Sequence, residues 1–143
     1  MLGQDKGLVR RLIHEVWSQG QFDVVDELVA SDYIGHTPSA DGETRGTEGY
    51  KQFFAALRSG FPDVQFTLDH ELAEGAYVVA RWTACGTHLG SFAGIPPTGK
   101  QAAVTGTTMY RIVGGKVAEC WTNADDLGLL RQIGAVSLVG QRA

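Results

Sequence analysis

Gly90-Ser-Phe-Ala-Gly-Ile-Pro-Pro-Thr-Gly-Lys100 admits two readings, and the choice between them decides the fold. From Gly94 to Lys100 it satisfies the spacing Gly, any four residues, Gly, Lys of a phosphate-binding loop. Such a loop needs Ser or Thr next, to hold magnesium, and then a helix whose N-terminus cradles the phosphates. Here Gln101 comes next, and the run from Gln101 to Ile112 is rich in Thr, Val and aromatic residues, as strands are. Pro96 and Pro97 also lack the N–H donors that a phosphate cradle uses. The stretch reads as a rigid connector between two strands, not as a nucleotide loop.

Working outward, a strand precedes the connector from Tyr77 to about Thr87. Val79 and Cys85 lie in one of its phases, and Val78, Ala80, Trp82 and Ala84 in the other. With the first phase toward the interior, the second needs a cover, and a two-fold partner is the simplest one. After the connector, a strand from about Gln101 to Val113 meets Gly114-Gly115, a strong hairpin signal. The last strand covers Lys116 to about Asn123, and Ala124 to Gly134 reads as a turn or short helix. Further upstream Val64, Phe66, Leu68 and Leu72 share one phase, with His70 among them as a structural residue.

Toward the N-terminus the apolar period becomes helical. Leu8, Val9, Leu12, Ile13, Val16 and Trp17 form one face of a helix from about Asp5 to Gln19, closed by Gly20. A short second helix carries Phe22, Val25 and Leu28 and gives way to a loop containing His36, followed by a polar loop from Ser39 to Gly46. Thr47 is placed to cap a third helix bearing Tyr50, Phe53, Phe54, Leu57 and Phe61, which Pro62 ends. Helices first and an antiparallel meander afterwards predict one α+β domain over 1–143. Its curved sheet rolls into a cone, with the helices on the concave face and a mostly apolar pocket between.

The 143 residues are 43% hydrophobic and 20% charged, and their net charge of −4 with no basic run argues against nucleic acid or an anionic membrane as partner. Cys85 and Cys120 lack metal-ligand spacing and read as buried, reduced thiols. With neither a signal-peptide layout at the N-terminus nor a long apolar run, a cytoplasmic protein is expected.

Four stretches carry a family resemblance: Val16-Trp-Ser-Gln-Gly20; Gly86-Thr-His-Leu-Gly90 running into Phe92–Lys100; Tyr110–Lys116; and Glu119-Cys-Trp-Thr-Asn-Ala-Asp125 followed by Leu127–Gly134. Together they resemble the SnoaL-like polyketide cyclases and ester cyclases of the nuclear-transport-factor-2-like superfamily. The resemblance implies a cone-shaped α+β barrel, a homodimer through the convex face of the sheet, no metal and no cofactor. It makes the Pro-Pro connector part of the pocket rim.

The resemblance also implies acid–base chemistry, in which a carboxylate removes a proton alpha to a carbonyl and pocket donors stabilise the enolate. Asp125 follows the last strand and is the candidate base; its competing role is to cap the final helix, with Asp126 an equal candidate for that. Arg81 is expected in the pocket as its partner, and His36 as a titratable pocket residue. Trp17, Tyr33, Phe54, Thr83, His88, Phe92, Met109, Trp121 and Asn123 complete the expected substrate-binding set. Limonene-epoxide-hydrolase-like relatives are similar in pairing Arg and Asp two residues apart on an inward strand, but Arg81-Trp-Thr83 has Thr where the acid should stand. Two main readings remain open. One is a cofactor-independent cyclase or isomerase acting on a small apolar carbonyl compound. The other is a dimeric binding module that keeps the pocket without the chemistry, which Asn123 and Thr83 favour.

Overall fold

The strand after the Pro-Pro connector is the spine of the molecule. In the computed structural model, which describes residues 2–38 and 42–137, β5 (Gln101–Val113) pairs antiparallel with β4 (Tyr77–Thr87) on one side and β6 (Lys116–Ala124) on the other. β3 (Gln65–Glu74) flanks β4. Beyond β6 lie β1 (Val29–His36) and β2 (Glu43–Arg45), giving the order β2-β1-β6-β5-β4-β3. The architecture is the expected α+β arrangement, a curved, open sheet with helices on one face. β1 and β6 form the one parallel pair among the described strands, with Ile34 opposite Glu119 and His36 opposite Trp121. The reading of His36 as a loop residue is corrected here: this polar, Gly-containing run is strand because β6 pairs with it. The expected loop from Ser39 lies partly outside the described residues, and its described part contains β2.

Strand parity divides the sheet into two faces. Val78, Ala80 and Trp82 of β4 and Thr108, Tyr110 and Ile112 of β5 are buried on the concave face. Tyr77, Arg81 and Cys85 of the opposite phase are exposed. The phase expected to face the interior is therefore the outer one, and Cys85 is exposed while Cys120 is the buried thiol. β3 changes phase along its length. Its register shifts between Leu68 and His70, so Phe66 and Leu68 pack inward whereas Leu72 is 70% exposed. The same bulge exposes His70, expected in the core, and turns Glu71 under the first helix.

The first helix, α1 (Leu2–Arg11), continues as a π-helical segment from Leu12 to Ser18. This wider coil buries Leu12, Ile13, Val16, Trp17 and Ser18 together. Gly20, at φ +71°, ends it in the left-handed conformation that glycine adopts without strain. α2 (Val25–Leu28) follows a short 3-10 turn, and α3 (Gly46–Gly60) crosses the concave face with Tyr50 and Phe54 buried. No side chain caps α3, and Thr47 sits inside its first turn instead. The final α4 (Asp126–Gln132) packs beside the start of β5, where Gln132 Oε1 accepts the Ala103 N–H at 2.8 Å.

Glu71 of β3 ties the sheet to the first helix. Its side chain is 6% exposed and accepts from Arg10 Nε at 2.8 Å, while Oε2 has no partner. Burial raises its pKa above the ordinary carboxylate value despite Arg10. Between the unfolded and the folded pKa, the native state thus keeps a proton that the unfolded chain has already lost. Stability from this group is complete below the unfolded pKa and declines as pH rises through the folded one. Urea unfolding of Glu71→Gln from about pH 4 to about pH 7 should show the variant gaining on the wild type as pH rises. A stability gap that stays constant with pH would contradict this.

Candidate functional site

Between α3 and the concave face lies a cavity of about 450 Å³. Trp17, Tyr33, Tyr50, Phe54, Phe66 and Trp82 wall its inner part, and Phe61, Phe92, Ala93, Asp126, Leu129 and Leu130 the part formed by the connector and α4. Two inward glycines make room for the rings. A methyl group at Gly106 would land on the Trp82 indole, and one at Gly35 on the Tyr33 phenol. Both rings therefore lie flat across a neighbouring strand position that any other residue would fill.

The polar groups of the wall are few and tied to one another. Trp17 Nε1 donates to the Tyr50 hydroxyl at 2.5 Å. Trp82 Nε1 donates to Thr108 Oγ1 at 3.1 Å, and Thr108 Oγ1 lies 2.9 Å from Thr122 Oγ1, which lines the cavity. Tyr33 and the Cys120 thiol are 2.8 Å apart. Burial pushes the Tyr33 and Tyr50 hydroxyls well above their ordinary pKa values and raises that of the Cys120 thiol, so all three are neutral at physiological pH. Asp126, half-buried in the first turn of α4, is the one carboxylate among the described residues lining the cavity. Cys120, Thr122 and Ala124 alternate along β6 in steps of about 7 Å, so this wall runs from thiol to hydroxyl to methyl, and Asp126 follows at the start of α4.

Of the residues expected from sequence, Trp17, Tyr33, Phe54 and Phe92 line the cavity. The others do not. Asp125 is exposed, and its Oδ1 accepts the Gly128 N–H at 2.9 Å, so it caps α4. Arg81 is exposed on the convex face, where burial never demands a partner for it. Thr83 is on that face too, donating to Asp69 Oδ2 at 2.6 Å. The Arg–acid arrangement of the epoxide-hydrolase comparison is therefore not formed around the cavity.

Met109 and Trp121 are opposed across β5 and β6 in the same outward phase, as are Thr107 and Asn123. His36 stacks on Trp121 with centroids 5.5 Å apart and donates from Nε2 to Glu119 at 2.7 Å. Arg111 Nε holds the other Glu119 oxygen at 3.1 Å. His36 and then Arg111 keep the Glu119 pKa below the usual carboxylate range. His36, Trp121 and Asn123 border a second cleft with Pro38 and Glu43, which shares Thr37 and Thr122 with the main cavity. The proposed catalytic trio Asp125, Arg81 and His36 is thus not brought together.

His88 is fully buried at the base of the connector and is neither a rim nor a surface residue. Its N–H donates to the Lys100 carbonyl and its own carbonyl accepts the Gly99 N–H, while Nδ1 accepts from the Thr98 N–H at 3.3 Å. Its ring stacks on Phe61 at 5.3 Å. Pinned in this way, the connector turns tightly between Phe92 and Ile95 and lays Phe92 against the cavity, with Pro96 and Pro97 outside. β5 begins directly after Lys100, so no helix is present to cradle a phosphate.

Sequence reading missed Tyr50, Trp82, Thr122 and Asp126 as site residues. Tyr50 was visible as part of the apolar face of α3. Thr122 was hidden because the large Trp121 beside it makes the wrong phase of β6 look like the interior one. The signal that identifies the inner phase is Gly106, a strand glycine opposite Trp82.

The family model of the SnoaL-like polyketide cyclases matches residues 7–133. The chain is 31% identical to aklanonic acid methyl ester cyclase DnrD of Streptomyces peucetius over 133 residues, covering 89% of this chain and 88% of that one. It is 29% identical to the nogalonic acid methyl ester cyclase of Streptomyces nogalater, covering 82% and 89%. The crystal structure of a SnoaL-like protein from Jannaschia sp. CCS1 superposes with a TM-score of 0.87 at 28% identity, over 94% of each chain.

The Trp82 arrangement is directly testable. Gly106→Ala should displace the indole, break its bond to Thr108 and destabilise the fold by about 1–3 kcal/mol. Near-ultraviolet circular dichroism and urea unfolding measure both effects; a variant with wild-type signal and stability would show that the ring does not depend on Gly106.

Proposed function

Because the chain belongs to the SnoaL-like polyketide cyclase family, we propose that it closes a ring in a polyketide-derived carbonyl compound by aldol-type acid–base chemistry that needs no cofactor. The single observation that carries the assignment of roles is the placement of Asp126, a carboxylate on the wall of an otherwise apolar and hydroxyl-lined cavity. In the proposed reaction Asp126 takes a proton from the carbon alpha to a carbonyl. The enolate carbon attacks a second carbonyl carbon of the same molecule, a carbon–carbon bond forms, and the π pair of that carbonyl moves to its oxygen. The proton then returns to this oxygen, so substrate and product are isomers and no co-reactant is consumed. Flat aromatic walls fit a planar, partly fused substrate, and the relatives that act on aklanonic and nogalonic acid methyl esters point to an aromatic polyketide ester. Asp125 is assigned the support of this carboxylate, through the helix end that it caps.

With aklanonic acid methyl ester as the test substrate, Asp126→Asn should lower turnover by roughly 10²- to 10⁴-fold. Asp125→Asn keeps a good capping residue and should leave turnover near wild type. The reverse pattern would move the base to Asp125. A wild-type protein that binds the ester and never converts it would favour the binding-module reading.

We also propose a homodimer through the convex face. Leu72, Tyr77 and Val113 are 70%, 41% and 55% exposed there, an apolar surface that a second copy would cover. Light scattering should give twice the chain mass of 15.4 kDa, and Leu72→Glu should shift it toward the single-chain value. A single-chain mass for the wild type would refute the dimer.

A further inference from the structure

An indole N–H donates and never accepts, and a hydroxyl that receives one keeps its own proton for another partner. The cavity holds two such hydroxyl sites. Tyr50 receives the Trp17 N–H and has no other hydrogen-bond partner among the described residues, so its proton is left for the cavity it lines. Thr108 receives the Trp82 N–H and is fully buried, with Thr122 Oγ1 its one remaining partner at 2.9 Å. A buried hydroxyl proton is placed on an acceptor when one is in reach. Thr108 therefore donates to Thr122, and the Thr122 proton is left for the cavity or for the Cys120 thiol beside it, which a ligand oxygen displaces as the stronger acceptor. The Tyr110 hydroxyl, on the same face of β5, is close enough to Thr108 to act on it but makes no hydrogen bond of ordinary length and angle, so Thr122 at 2.9 Å is the better acceptor of the Thr108 proton.

We propose that Trp17 and Trp82 fix the direction of these two hydrogen-bond chains, so that the cavity presents Tyr50 and Thr122 as O–H donors to a ligand oxygen carrying negative charge. Trp17, Trp82 and Thr108 are positioning residues, and Tyr50 and Thr122 are the groups that touch the ligand. The ligand class is an enolate or phenolate of a planar molecule, with its charged oxygen toward β6 and α3. The inference rests on the cyclisation reading for its role in turnover, where the pair would hold the enolate oxygen while Asp126 holds the proton. The donor polarity itself does not depend on turnover.

The test uses β-naphthol, whose neutral and ionised forms differ in absorbance, bound to the full chain. Donors aimed at its oxygen favour the bound naphtholate, and an apolar pocket without them favours the neutral form. Thr122→Val and Tyr50→Phe should each reduce the preference for naphtholate by about ten- to a hundredfold, the worth of a hydrogen bond to a charged group. Thr108→Val and Trp82→Phe should reduce it as well, although neither residue is assigned contact with the probe. Thr122→Ser should restore most of it, and Tyr110→Phe should leave it unchanged. Thr108→Val is nearly isosteric and tests the relay even where Trp82→Phe fails to fold. A wild type that does not bind β-naphthol, or binds it with the same ionisation as Thr122→Val and Tyr50→Phe, overturns the proposal. Loss of preference in Thr122→Val with none in Thr108→Val overturns the relay. Failure of the cyclase reading has a different signature: no conversion of the ester, with the naphthol results intact.

Discussion

Among the described residues, the indole of Trp17 meets more aromatic rings than any other ring does. It stacks on Phe54 of α3 at 5.0 Å, meets Phe66 of β3 and Trp82 of β4 edge-on at 5.1 and 5.9 Å, and approaches Tyr110 of β5 at 6.2 Å. Each such pair contributes about 0.5–1.5 kcal/mol beyond simple burial. Its N–H is spent on Tyr50, so the ring locks α3 to the sheet by packing and by a hydrogen bond at once. A cavity of about 450 Å³ beside the core forgoes contacts that side chains would otherwise make. Stiff aromatic walls, with few rotamers, keep that space from collapsing. The π-helical turn that carries Trp17 is what brings it, together with Val16 and Ile13, over the centre of the sheet.

The two faces of the sheet then have separate chemistries. On the concave side, burial keeps tyrosine hydroxyls and the Cys120 thiol neutral and leaves hydrogen-bond direction as the main electrostatic variable. On the convex side, Glu119 is held ionised between His36 and Arg111, and Trp121 stacks on the imidazole. On the cavity side Asp126 is the one carboxylate among the described lining residues, and the other polar groups are neutral. A developing enolate in such a cavity is stabilised by dipoles already in place, without reorganisation of water.

The order of elements was legible because each apolar period is long and unbroken, as in Leu8 to Trp17 and in the β5 run that rules out a phosphate loop. Inside and outside were harder to assign on strands where both phases carry large residues. On β4, Val79 competes with Val78 and Ala80; on β6, Trp121 outweighs Thr122 in size and is nevertheless outside. The bulge near Asp69 has no mark in the local sequence, yet it exchanges the fates of His70, Glu71 and Leu72. β1 is strand through its pairing with β6, a long-range contact that no window of residues reports. Of the candidate site, Trp17 and Phe54 followed from helical periodicity and Tyr33 and Phe92 from the family resemblance, while the catalytic trio is not brought together. Arg81 and His36 were placed by chemical suitability, and chemical suitability says nothing about which way a strand residue points.

The central claim is that chemistry happens on the concave face, between hydroxyl donors deep in the cavity and a carboxylate on α4. A crystal structure of the protein with a planar hydroxyanthraquinone bound measures this most directly. An aromatic oxygen within hydrogen-bonding distance of both Tyr50 and Thr122, with the ring system extending past Asp126 beneath Phe92, is the result expected. A ligand seated instead in the cleft beside His36 and Trp121, or bound in the cavity with only carbon atoms facing Tyr50 and Thr122, would contradict it.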